Sequence, residues 1–144
     1  MARSLLFSFA ALLLLLSSCT KSDVLNNQDQ IEGSWIVTSI RSDRAYDWDG
    51  DGFTETDILS TYSYCERDIS LIFEPGGYGR IREGCDAPAE YLDWDLSGNR
   101  LYIDYQTGSL DLQLNQLTNR TISGTDQVNV DGRTFNITYT LNRR

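Results

Sequence analysis

The residues best suited to chemistry lie in one short stretch, Asp47-Trp48-Asp49-Gly50-Asp51-Gly52-Phe53-Thr54-Glu55-Thr56-Asp57. Alternating carboxylates that end on a glycine resemble the start of a calcium loop. Such a loop wraps the ion with side-chain oxygens at its first, third and fifth positions. It turns sharply on a glycine at the sixth and offers a main-chain carbonyl at the seventh. Asp47, Asp49, Asp51, Gly52 and Phe53 stand at those five places, and Glu55 stands at the ninth. Ile58 occupies the twelfth, where a bidentate Glu belongs, and Asp57 falls one place early. The expected ligand set is therefore Asp47, Asp49, Asp51, Phe53, Glu55 and Asp57, with Ca2+ in a structural role. The competing reading is a solvated acidic turn, because Asp and Gly both tolerate left-handed backbone.

Cysteine is the second reactive type, at Cys19, Cys65 and Cys85. Cys19 ends an uncharged apolar run. Arg3 gives a positive start and Leu5 to Leu16 an apolar stretch, which is the layout of a secretory signal and short for a membrane span. The ending Leu16-Ser17-Ser18-Cys19 resembles the bacterial lipobox. The resemblance implies a signal peptide over 1–18, cleavage before Cys19, and a lipoprotein carrying palmitate-type acyl chains on the Cys19 sulfur and the new amine. Each buried CH₂ contributes ~0.8 kcal/mol, so several chains hold a protein to a membrane stably. The competing reading is a plain signal or short anchor with Cys19 incidental. Residues 19–30 are polar and read as a flexible tether. Lys21 and Asp23 partly match a surface-export signal of Gram-negative lipoproteins. The expected location is the cell envelope, lipid-anchored to the outer membrane, with surface display left open.

Composition narrows the rest. The chain has 144 residues, and removal of 1–18 leaves 144 − 18 = 126, enough for one domain, 31–144, with a real core. The formal charge is −9, and loss of Arg3 makes it −9 − 1 = −10. That acidity repels phosphate backbones, so no nucleic-acid partner is expected. There is no histidine, which removes the commonest general base and metal ligand. No nucleophile motif such as Gly-x-Ser-x-Gly appears, and an enzyme is not expected. With Cys19 lipidated, Cys65 and Cys85 remain in an oxidising compartment, where two thiols suggest one disulfide; free thiols are the alternative.

The elements that would position these residues are strands. Trp35 and Val37 alternate with polar or solvent-side neighbours, as do Ile69, Leu71 and Phe73, then Leu92, Trp94 and Leu96. Leu101, Ile103 and Tyr105 follow, then Leu110, Leu112 and Leu114, and finally Phe135, Ile137, Tyr139 and Leu141. Gly-bearing turns separate them, and Asp131-Gly132 signals a tight hairpin. Asn119 to Asp126 reads as a polar segment leading to Val128 and Val130. The pattern predicts an all-β fold, an antiparallel up-and-down barrel of about eight strands, and no segment shows a helical period over about ten residues. A hairpin at Pro75-Gly76 would bring Cys65 and Cys85 to the same end, and a bridge closing that loop would contribute ~3 kcal/mol.

Gly33-Ser34-Trp35 resembles the Gly-x-Trp signature of lipocalins. The ordered set of a lipobox, Gly-x-Trp, Asp49-Gly50-Asp51-Gly52, Cys65, Phe73 to Gly77 and Cys85 is similar to a bacterial group of lipocalin-like lipoproteins. The resemblance implies a lipocalin-like β-barrel over most of 31–141, with Trp35 plugging its closed end. It also implies an arginine laid over that Trp, with Arg143 and Arg144 both open. The expected function is binding of a small apolar ligand. The alternative is a structural or protein-interaction lipoprotein that meets an envelope protein partner. Tyr62, Tyr64, Tyr78, Tyr91, Tyr102, Tyr105 and Tyr139 read as packing. Arg80 and Arg82 read as surface charge or, alternatively, as caps for an anionic ligand.

Overall fold

Apolar residues at every second position can share one side of a strand, and closure of the sheet turns that side into a core. The computed structural model describes residues 28–144. The signal segment 1–18, Cys19 and the first part of the tether lie outside the described residues. Among the described residues there are nine strands: β1 (Gly33–Tyr46), β2 (Glu55–Asp57), β3 (Ile69–Glu74), β4 (Tyr78–Glu83), β5 (Glu90–Ser97), β6 (Arg100–Tyr105), β7 (Gly108–Leu117), β8 (Thr121–Val130) and β9 (Arg133–Arg143). Two single-turn helices accompany them, α1 (Gln28–Ile31) and α2 (Ile58–Thr61). Gln28 to Gln30, read from the sequence as the end of the tether, thus form part of α1.

Eight strands close an antiparallel barrel, with β1 pairing both β3 and β9, and β3 to β9 following in chain order. The ninth, β2, pairs with the upper end of β1 on the edge that β3 uses lower down, with Tyr46 opposite Glu55 and Arg41 opposite Asp57. The six apolar series named above all point inward, and most of their members are buried. One register shift lies in β1 between Val37 and Ser39. It changes the parity of the strand, so Ile40 follows Trp35 and Val37 into the core.

The segment Asn119 to Asp126 differs from its reading as a polar lead-in. Strand β8 begins at Thr121, and its inward register runs Ile122, Gly124, Asp126, Val128, Val130 opposite β9. Gly124 breaks the apolar alternation because a Cβ there would lie 2.9 Å from the Leu112 Cβ. The missing side chain makes room for Leu112 and Leu114 of β7.

The closed end is built around Trp35, which is completely buried. Its Nε1 donates to the Ile31 carbonyl at 2.6 Å, tying α1 across the barrel floor. Arg143, the last residue of β9, lays its guanidinium 4.4 Å from the Trp35 ring centroid. It donates from Nη1 to the Glu32 carbonyl at 2.8 Å, from Nη2 to the Gln30 carbonyl at 2.7 Å, and from Nε to the Asn119 carbonyl. Gly33 is the residue that permits this. Its φ of +123° suits glycine, and a Cβ there would run into Arg143 Nη1.

Candidate functional site

The opposite end is open in a different sense. Above the floor the barrel encloses a cavity of about 550 Å³. Its wall is apolar for most of its height, with Ile40, Leu71, Ile81, Ile103, Leu112 and Ile137 among the lining residues. The long connection from β1 to β3 carries Trp48, Ile58 and Tyr62 over the mouth. Asp57 holds α2 in place there, accepting from the Ser60 amide at 3.3 Å as its N-cap. The disulfide Cys65–Cys85 fastens this covering segment to the β4–β5 loop, with a Cα–Cα distance of 4.9 Å. Arg82 adds a second tie at the same place through Asp68, 3.0 Å away.

Polar groups gather toward the mouth of the cavity, with Tyr139 deeper, opposite Ile40 and Gly124. Tyr62, Tyr105 and Tyr139 line it with Glu66 and Glu83. Burial, with the Glu90 charge second, raises the Glu83 carboxyl above the usual carboxylate range. Burial likewise raises all three phenols above the ordinary tyrosine value. The Glu83 charge adds to the effect on Tyr62 and Tyr105, and the Asp126 charge to that on Tyr139. Glu66 is held lower by the Ser63 side chain and amide, the amide donating to Oε2 at 2.7 Å. The indole N–H of Trp48 is buried and has no acceptor among the described residues. To the side, the β7–β8 ladder stops at Gln113 opposite Thr125. Above that point Gly108–Leu112 and Asp126–Val130 diverge, and the Asp111 amide donates to Asp126 Oδ2 at 3.4 Å in the fork.

The acidic loop lies on the rim. Asp47, Asp49 and Asp51 bring one carboxylate oxygen each within 4.8 Å of one another. The same carboxylates fold the loop on itself. Asp47 accepts from the Gly50 and Gly52 amides, Asp49 from Asp51 and Asp51 from Phe53. The remaining members of the sequence-derived set are not gathered with them. Glu55 accepts from the Trp48 amide at 2.8 Å, and Asp57 caps α2 and pairs with Arg41 at 3.3 Å. Phe53 has its side chain 75% exposed. Arg80 and Arg82 face outward, Arg80 pairing with Glu74 at 3.1 Å, so neither caps the cavity. Asp93 and Asp95 also face solvent, between the inward Leu92, Trp94 and Leu96.

The sequence reading missed Trp48, Tyr62, Glu83, Tyr105 and Tyr139 as cavity groups. Strand parity carried the signal for three of them. Glu83 stands two beyond Ile81, Tyr105 two beyond Ile103, and Tyr139 lies between Ile137 and Leu141.

A closed eight-stranded antiparallel barrel with a Trp–Arg floor and an internal cavity defines a lipocalin-like domain. The fold is similar to a crystal structure of apocrustacyanin C1, a lipocalin, with a TM-score of 0.51 and 11% sequence identity. That match covers 82% of this chain and 63% of the other, so the chain spans less than two thirds of its structural neighbour. No curated protein sequence matches the chain. Residues 17–140 match the family model described as a domain of unknown function (DUF5004), and the chain belongs to that family.

Proposed function

We propose that this protein is a lipid-anchored binding module of the cell envelope whose barrel carries a small apolar ligand. One observation carries the reading: a cavity of about 550 Å³, walled by aliphatic side chains and furnished with a few polar groups at one end. That size and division of chemistry suit a small-molecule site. The lipobox-like Leu16-Ser17-Ser18-Cys19 supports acylation at Cys19 and placement at the outer membrane, and the Cys65–Cys85 bridge fits an oxidising compartment. The lack of histidine and of a nucleophile motif supports binding over catalysis in this reading. Native mass spectrometry of the protein isolated from its own envelope tests all of this. The expected spectrum shows the acylated chain starting at Cys19 and a co-purifying apolar compound lost on activation. An unacylated chain that still begins at Met1 would end the anchor reading, and a ligand-free spectrum with no uptake of added apolar compounds would end the binding reading.

A second reading is an envelope module that docks a partner protein. Phe53, Tyr64 and Tyr91, at 75%, 88% and 85% exposure, favour it because all three stand at the mouth end. Loss of a pulldown partner on replacing these aromatics, with ligand uptake unchanged, would distinguish it. We also propose that Asp47, Asp49 and Asp51 hold a structural Ca2+ on the rim. The proximity of their carboxylates supports this, and each retains lone pairs beyond its bond to the loop.

A further inference from the structure

The cavity's polar end has a consistent sign. Glu66 and Glu83 line it, and no Lys or Arg does. Asp126 sits on the inward register of β8 at the fork beside Tyr139, adding a third carboxylate. Two cations near the covering segment are committed elsewhere. Arg67 donates to the Ser60 and Tyr62 carbonyls, and Arg82 to Asp68 and the Cys85 carbonyl. Glu66 and Glu83 have no ion-pair partner within 4.0 Å among the described residues. Tyr62, Tyr105, Tyr139 and Trp48 line the same cavity. Aromatic faces attract cations, the more so where water is excluded. A carboxylate head placed here would meet like charges and find no basic partner. A neutral head would gain nothing from the two exposed acids.

We propose that the occupant of this cavity is an apolar molecule with a cationic head, an alkylammonium, whose tail lies along the aliphatic wall and whose head sits among Tyr62, Tyr105, Tyr139 and the carboxylates of Glu66 and Glu83. This rests on the ligand-binding reading above and adds the charge of the ligand to it. The acidity of the rim works in the same direction, because a negative field at the entrance raises the local concentration of cations.

The test compares three probes that share one tail: dodecyltrimethylammonium, dodecanol and dodecanoate, each kept below its micelle-forming concentration. They are titrated into the purified full chain by calorimetry, with Trp fluorescence as a second readout. The ammonium probe is expected to bind about tenfold or more tightly than the dodecanoate, with the alcohol between them. Glu83→Gln, at a partly exposed position where the fold is not at stake, is expected to weaken the ammonium probe several-fold and leave the alcohol unchanged. Equal or tighter binding of dodecanoate would overturn the inference while leaving an apolar binding site in place. So would an unchanged preference in both Glu83→Gln and Glu66→Gln. Failure of all three probes to bind would overturn the ligand-binding reading, and this inference with it.

Discussion

Replacing Arg143 by alanine removes the clasp at the closed end of the barrel, and its cost can be worked from the contacts. The guanidinium lies 4.4 Å from the Trp35 ring centroid in a partly desolvated setting, worth ~1–2 kcal/mol. Its bonds to the Glu32 and Gln30 carbonyls are part-buried and charge-assisted, and contribute ~1 kcal/mol each after exchange with water. The bond to the Asn119 carbonyl is exposed and adds little. The sum is about 3 kcal/mol, or a fall in melting temperature of roughly 10 °C for a domain of this size. Arg143→Lys should recover less than half, since an ammonium cannot span carbonyls on both sides of the ring while stacking on it. Arg144→Ala is the internal control: its amide donates to the Ser34 carbonyl at 2.9 Å, a bond that alanine keeps. The assay is urea unfolding followed by circular dichroism with the disulfide intact. A loss under 0.5 kcal/mol in Arg143→Ala would refute the reasoning, as would an equal loss in Arg144→Ala.

Three further outcomes are expected. Changing Cys65 and Cys85 together to serine should cost ~3 kcal/mol in the same assay, because the bridge closes a loop of 20 residues. It should also speed ligand release, since the covering segment loses its tie to the β4–β5 loop; an unchanged release rate would mean that this segment does not gate the cavity. Glu83 binds its proton more tightly folded than unfolded, so its contribution to stability is complete below the ordinary carboxylate range and declines as pH rises through its raised pKa. Glu83→Gln should therefore match the parent in acid and exceed it near neutrality, and equal melting temperatures at both ends would deny the shift. Calcium at about ten times its dissociation constant should add ~1.4 kcal/mol, a rise of several degrees absent from Asp49→Asn; an identical melt in chelator and in millimolar calcium would leave the rim loop as a self-capped acidic turn.

Much of the fold was readable because a barrel enforces a simple rule: one face of each strand must be apolar. Leu92, Trp94 and Leu96 could face only the core, and the same rule left Asp93 and Asp95 outside. It failed where packing asked for something other than an apolar side chain. At Gly124 the demand was for empty space, so β8 looked like a linker. The choice between Arg143 and Arg144 was left open although parity carried it. It depends on which side of β9 faces the floor, and Leu141 settles that once its burial is known, because Arg143 stands two residues on.

The acidic loop shows what motif spacing leaves out. A run of six oxygen-bearing positions looks like one ligand set on paper, but a backbone has its own donors to satisfy. Glu55 and Asp57 were drawn off by the Trp48 amide and by α2, and the three remaining carboxylates serve the amides of their own loop. Motif spacing says which atoms share a neighbourhood and nothing about which of them are already spoken for. The cavity shows the converse. Glu83 and Tyr105 belong to no motif, yet strand parity alone sends both inward at the ends of strands whose other inward residues are aliphatic. A charged or phenolic side chain that continues an apolar face finds a partner inside the protein, reaches water at the strand end as Glu83 does, or takes a partner from outside. Glu83 ends β4 exposed and with no ion-pair partner among the described residues, and that placement is what the proposed cationic ligand rests on.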